Sequence, residues 1–146
     1  MAFRLVSSGG NIVDPAMLNI RCSGVVHIGG VVEFSRAGGQ GVYPASSTST
    51  TTNVFGIAMD YAQGASDKEV RVVPFVPGQL WEADCVNAAL TAQIGLRHVL
   101  NNLDEIRNTS TDLGAGNAAT AVFRAIAMVG STSGSGKLIG YIRTTA

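Results

Sequence analysis

Glu82 and Asp84 stand two residues apart in the run Leu80-Trp81-Glu82-Ala83-Asp84-Cys85. Residues two apart on a strand share a face. Such a pair has the donor types to ligate a hard cation or to share a proton. A solvated strand face looks the same and is the more ordinary meaning of the pattern. The two histidines, His27 and His98, have no cysteine or second histidine at metal-ligand spacing, so zinc is unsupported.

Two glycine-rich stretches resemble nucleotide loops and fail on spacing. Gly130-Ser-Thr-Ser-Gly-Ser-Gly136-Lys137 has Ser131 where a phosphate loop needs its first glycine. Leu138 then stands where a magnesium-binding Ser or Thr is needed. Gly114-Ala-Gly116-Asn-Ala-Ala119 fits a dinucleotide fingerprint in letters, but polar residues precede it and no acid follows about twenty positions on. No serine sits in a G-x-S-x-G elbow. Asn108-Thr109-Ser110 has the form of a glycosylation sequon and is expected to be chance. No catalytic residue, cofactor or metal is expected from these patterns.

Composition points the same way. The 146 residues suffice for one domain with a real core, and 14% are charged, below the ~25% usual for soluble domains. Ten basic residues cancel ten acidic ones. The basic residues are scattered rather than clustered, so direct nucleic-acid binding is not expected. No apolar run reaches the length of a membrane span. The first residues show no apolar secretory core, which makes a reducing compartment the default. Cys22 and Cys85 are then expected as buried small hydrophobes, although a disulfide stays open.

Positioning elements follow from the alternation of apolar residues. Val70–Val76 and Leu80–Cys85 read as strands separated by a Pro77-Gly78 turn. The only tryptophan, Trp81, shares a face with Ala83 and Cys85 and is expected to anchor the core with Phe75 and Phe123. Val25–Ile28 and Val31–Phe34, split by Gly29-Gly30, carry the signature of a hairpin. Residues 36–52 read as a mobile loop, ordered only by a partner. Val54–Met59, Ala121–Val129 and Leu138–Arg143 read as strands. In Ala121–Val129, Phe123, Ala125, Ala127 and Val129 are expected on one face. Asp14-Pro15 suggests a turn or a helical start. Periodicity over 88–107 leaves helix and strand open, with a turn at Asn101-Asn102 in the strand case. Residues 2–6 are a first strand or an arm that docks elsewhere. Turn signals recur at short intervals, which favours a mainly β, antiparallel barrel or sandwich with long loops over βαβ units.

Several short runs, in order, resemble the head decoration (cement) proteins of tailed bacteriophages. They are Met1–Ala16, Gly30–Phe34, Asn53–Ala58, Val70–Phe75, Trp81–Asp84, Ile94–Val99 and Val122–Ile126. The resemblance implies a compact β-barrel or β-tulip-like domain, made in the host cytoplasm and carried on the outer capsid surface of the virion. It implies the major capsid protein as partner, a homo-oligomer with a trimer favoured, and no enzyme activity, cofactor or membrane. It makes 94–100 a strand. It also suggests residues 1–20 as a docking arm, with Phe3, Arg4, Leu5 and Val6 as candidate interface residues adding a strand to a neighbour. A small nucleic-acid-binding barrel, or another tail or shell component, is the alternative.

Overall fold

Val31-Val32, Ile57-Ala58 and Val72-Val73 are adjacent apolar pairs, and each pair puts one side chain on either face of a strand. A strand so built must be covered on both sides, and this requirement organises the fold. The structure is a computed structural model that describes residues 3–7, 17–34, 41–63, 68–129 and 136–144. Strands β2 (Leu18–Cys22), β4 (Val31–Phe34), β5 (Val42–Pro44), β6 (Val54–Ala58) and β8 (Lys68–Pro74) close into a barrel in the order β2-β5-β4-β6-β8. Its neighbours are antiparallel except β2 and β5, which meet in parallel at Cys22 and Val42.

The other large layer is a six-stranded antiparallel sheet. It contains β1 (Phe3–Ser7), β9 (Leu80–Ala83), β10 (Arg97–Asn102), β11 (Glu105–Arg107), β12 (Phe123–Val129) and β13 (Lys137–Ile142). Their order is β1-β9-β13-β12-β10-β11. The first strand is thus added to a sheet made by the second half of the chain. Strands β3 (Val25–Val26) and β7 (Ala62–Gln63) form a small ribbon, and its Val26 and Ala62 pack in the barrel core. A short 3-10 turn spans Thr91–Gln93.

Two cores result. Cys22, Val26, Val32, Val42, Ala58, Ala62, Val70 and Val72 fill the barrel. Val31, Val54, Ile57 and Val73 leave its outer wall and meet Phe3, Trp81, Leu100, Ile106, Phe123 and Leu138 from the sheet. Trp81 and Phe75 pack edge to face at 5.8 Å, and Phe3 and Phe123 at 6.4 Å. Trp81, Phe3 and Phe123 are buried, and Phe75 is half-buried against them.

Several expectations change. The two runs around Gly29-Gly30 do not pair with each other: β3 joins β7, while β4 joins β5 and β6. The turn there, closed by Gly30 N–H to the His27 carbonyl at 3.0 Å, hands the chain from the ribbon to the barrel. Likewise the turn at Pro77-Gly78 passes the chain from barrel to sheet, with Gly78 at φ 93°. Residues 42–52 are not a loose loop. Val42–Pro44 is a barrel strand, Ser49 and Thr51 are buried, and Thr51 N–H reaches the Ala119 carbonyl at 2.8 Å. Over 88–107 the strand alternative holds only from Arg97: Thr91–Gln93 is a 3-10 turn and Ile94-Gly95 continues as a turn, so 94–96 are not strand. The hairpin turn falls at Leu103-Asp104 rather than Asn101-Asn102.

Alternation along β12 breaks at a bulge between Ala125 and Ala127. Met128 therefore packs on the core, and Ile126 and Val129 stand exposed. Gly140 lies opposite Ala125, where an added Cβ would come within 2.0 Å of the Arg124 carbonyl oxygen. Asp14-Pro15, residues 36–40 and residues 131–135 lie outside the described residues.

Residues 3–7 form a strand of this chain's own sheet, with Phe3 only 1% exposed. The rest of the supposed docking arm, 8–16, lies outside the described residues, and Leu18–Cys22 is barrel wall. Phe3→Ala is accordingly expected to destabilise the domain by about 3 kcal/mol in urea unfolding, as a buried aromatic truncation does. A change below about 1 kcal/mol would mean that β1 is not held in this core in solution.

Candidate functional site

Glu82 and Asp84 do lie on one side of their strand, but cations occupy them. Arg4 Nη2 donates to Glu82 Oε2 at 2.8 Å, and Lys137 Nζ lies 4.0 Å from Glu82 Oε1. Lys137 also bonds Asp84. The register puts Arg4 opposite Glu82 on β1, and Ile139 opposite Glu82 on β13. The acids form an ion-paired belt across three strands. Among the described residues no group of three or more His, Cys, Asp or Glu could hold a metal ion.

The remaining candidates resolve into structural roles. His27 Nδ1 lies 2.9 Å from Asp104 Oδ2, and its ring stacks on Tyr61 at 5.8 Å. His98 is fully buried, and its Nε2–H donates to the Gln93 carbonyl at 3.2 Å. Burial pushes its pKa down, against the opposing pull of that hydrogen bond. Asn108 of the sequon is buried too. Its Nδ2 donates to the carbonyls of Asn87 and Ala88 and, at 2.9 Å, to Gln93 Oε1; its Oδ1 accepts the Asn87 N–H at 2.9 Å. This side chain ties the 3-10 turn to the end of β11 and is not available to a glycan. Sequence reasoning had no signal for this knot, because asparagine and glutamine read as loop formers.

Gly114 serves Arg97, not a cofactor. An added Cβ there would stand 2.2 Å from Arg97 Nε. Arg97 holds Asp112 with a two-pronged contact, Nε to Oδ1 at 3.1 Å and Nη2 to Oδ2 at 2.6 Å. The Arg97 and Gly114 N–H groups also donate to Oδ1, at 3.0 and 3.1 Å. The hydrogen bonds from the Arg97 side chain hold the Asp112 carboxyl well below the usual range. Asp60 is lowered in the same way by Arg71. Both cysteines are free thiols. Burial raises each pKa, that of Cys85 to about 11.

Two surface depressions stand out among the described residues. One, about 280 Å³, is lined by Phe3, Leu5, Met17, Met59, Val73 and Trp81, with Arg4 at its side. Phe3 and Leu5 thus turn toward this chain's own core and groove, while Arg4 and Val6 are exposed. The other, about 430 Å³, borders Tyr141 and Arg143. Neither is lined by an acid–base pair. Exposed apolar residues are a more prominent feature. On strands of the six-stranded sheet, Val6, Ile126, Val129 and Tyr141 are 38% to 46% exposed. Among the described residues no helix is long and apolar enough to cross a membrane. No protein-family model matches the chain, and no curated protein matches it.

These shifts set the pH dependence. His98, Asp112 and Asp60 are all lowered in the fold, so the unfolded chain binds more protons across each window and stability rises with pH. Stability should fall in a first stage below about pH 6.5, where an unfolded histidine protonates, and in a second below about pH 4, where carboxylates do. Asp112→Asn should reduce the second stage, leaving the share of Asp60, and should leave the first unchanged. Urea midpoints measured from pH 7 to pH 3 test this. A midpoint constant between pH 7 and pH 5 would mean that His98 is not held neutral.

Proposed function

We propose that this protein is a structural virion component that binds the outer surface of a tailed-phage capsid and stabilises the expanded head. The observation that carries the reading is the surface balance. Glu82, Asp84, Arg4 and Lys137 on one half of the six-stranded sheet are closed into pairs, while Val6, Ile126, Val129 and Tyr141 stand out on it. Exposed apolar residues rimmed by polar ones mark interaction surfaces. The ordered run of short motifs adds the class of partner. On this reading the protein acts by binding, without catalytic residues, and its partner is the major capsid protein. It works as a homo-oligomer, with a trimer favoured. Many symmetric copies act together, so each contact can be modest.

The barrel alternative is less favoured. Its interior is filled by valine, alanine and cysteine side chains, and stacked bases would need an aromatic, basic face.

Co-sedimentation with empty heads of the phage that encodes the protein, before and after expansion, tests the proposal. Saturable pelleting with expanded heads only is the expected result. Pelleting with both forms would indicate an assembly component instead. Pelleting with neither would overturn the reading.

A further inference from the structure

Ion pairing on the six-stranded sheet stops at one end. Arg97 and Arg124 are directly opposite each other on β10 and β12, and Arg124 is directly opposite Tyr141 on β13. Arg143 follows Tyr141 by two residues, and its N–H bonds the Val122 carbonyl at 2.6 Å, so the pairing runs on past the strand. Cross-strand partners share a face, so the three guanidiniums leave the sheet on the same side. Among the described residues, only Arg97 of the three has a carboxylate, Asp112.

Arg124 and Arg143 meet no carboxylate among the described residues. Each is instead steered by backbone carbonyls. Arg124 Nη1 donates to Gly95 at 3.2 Å, and Arg143 Nη1 donates to Ala121 at 2.6 Å and Ala118 at 3.3 Å. A carbonyl orients a guanidinium without neutralising it, and the contacts at Nη1 leave the other nitrogens free to donate. Like charges directly opposite on a sheet are destabilising. Among the described residues, three arginines stand at this end against one aspartate, a formal excess of two positive charges on a neutral chain. The excess calls for an external anion.

The neighbours say which kind. Tyr141 lies between the two arginines at 38% exposure, and Ile126 and Ile94 lie alongside at 44% and 37%. Gly95 N–H bonds the Ala125 carbonyl at 2.8 Å, which fixes the Ile94 segment beside β12. Arginine and tyrosine among apolar side chains make up the usual centre of a protein interface. A phosphate backbone would follow a longer basic track and gain nothing from the isoleucines.

We propose that this end of the sheet is a docking face for an acidic protein surface, with partner carboxylates received by Arg124 and Arg143 and apolar contact made at Tyr141 and Ile126. The face would be the capsid-binding surface if the virion reading holds, and the carboxylate site does not depend on that reading.

The test has two arms. The first measures amide shifts of the full chain on titration with a glutamate-rich peptide and with a single-stranded oligonucleotide of equal charge. Shifts at Arg124, Tyr141 and Arg143 with the peptide are expected. They should be lost in Arg124→Gln/Arg143→Gln, whose amides can still donate to the backbone carbonyls, and kept in Lys68→Gln on the barrel. Thermal melts confirm that the variants fold. No shift with the peptide, or tighter binding of the oligonucleotide at the same residues, would overturn the proposal. In the second arm the double variant should weaken pelleting with expanded heads by about tenfold or more, as loss of interfacial charge pairs does. If wild type pellets and the double variant pellets equally, this face is refuted while the virion reading stands. If wild type does not pellet, the virion reading fails and the peptide arm decides this one.

Discussion

Burial of the barrel wall on both sides is the constraint on which the rest depends. Val32 and Val72 point into the barrel, while Val31 and Val73, their immediate neighbours, point into the space under the sheet. Strands apolar on both faces cannot stand against water on either side. The barrel therefore needs the sheet as a cover, and the sheet needs the barrel wall to receive Trp81, Phe3 and Phe123. Each buried aromatic contributes on the order of 2–3 kcal/mol of apolar burial. Placing β1 at the sheet edge beside β9 couples the start of the chain to its second half, so the two layers are expected to unfold together.

Electrostatics follow from low charge content. With few charged residues, the chain places most of those on its sheet within reach of an opposite sign. Arg4, Glu82, Lys137 and Asp84 form one belt, and Arg97 with Asp112 another contact. Half-exposed pairs of this kind contribute little to stability. Their consequence is to remove titratable groups from chemistry, and that is why the carboxylates that first suggested a site do not make one. Arg124 and Arg143 stand out against that background because backbone carbonyls, not carboxylates, hold them.

Much of the strand content was legible, and the pairing was not. Val54–Ala58, Lys68–Pro74, Leu80–Ala83 and Lys137–Ile142 follow from local apolar pattern and turn residues. Gly29-Gly30 misled because a glycine turn says that the chain reverses or bends, not which strand it meets next. Two adjacent valines on each side gave no preference between a hairpin and two separate sheets. The serine-threonine run 46–52 misled for a related reason. Its order comes from distant backbone contacts, Thr51 to Ala119 and the bridge of Ser46 with Asn102, and from side-chain contacts such as Ser46 N–H to Ser49 Oγ at 2.8 Å, none of which composition encodes. Alternation failed in β12 where a bulge inserted one residue. The arginine end of the sheet was invisible because its members come from β10, β12 and the residues at and just past the end of β13, up to 46 positions apart, 143 minus 97.

That bulge also bears on function. Without it, Ile126 would still face outward, but Val129 would turn under the sheet and Met128 outward. With it, Val129 joins the exposed row, and flexible Met128 fills the core. Bulges of this kind re-aim side chains and are retained where that direction matters. Gly140, whose lack of a Cβ leaves room for the Arg124 carbonyl oxygen, sits opposite the residue where the bulge begins. The backbone irregularity, the close approach and the uncompensated arginine thus fall at one place on the sheet. A sheet face kept only to cover a core would gain nothing from exchanging Met128 for Val129 at its surface. A face that meets another protein gains a rigid, β-branched contact beside its charged end.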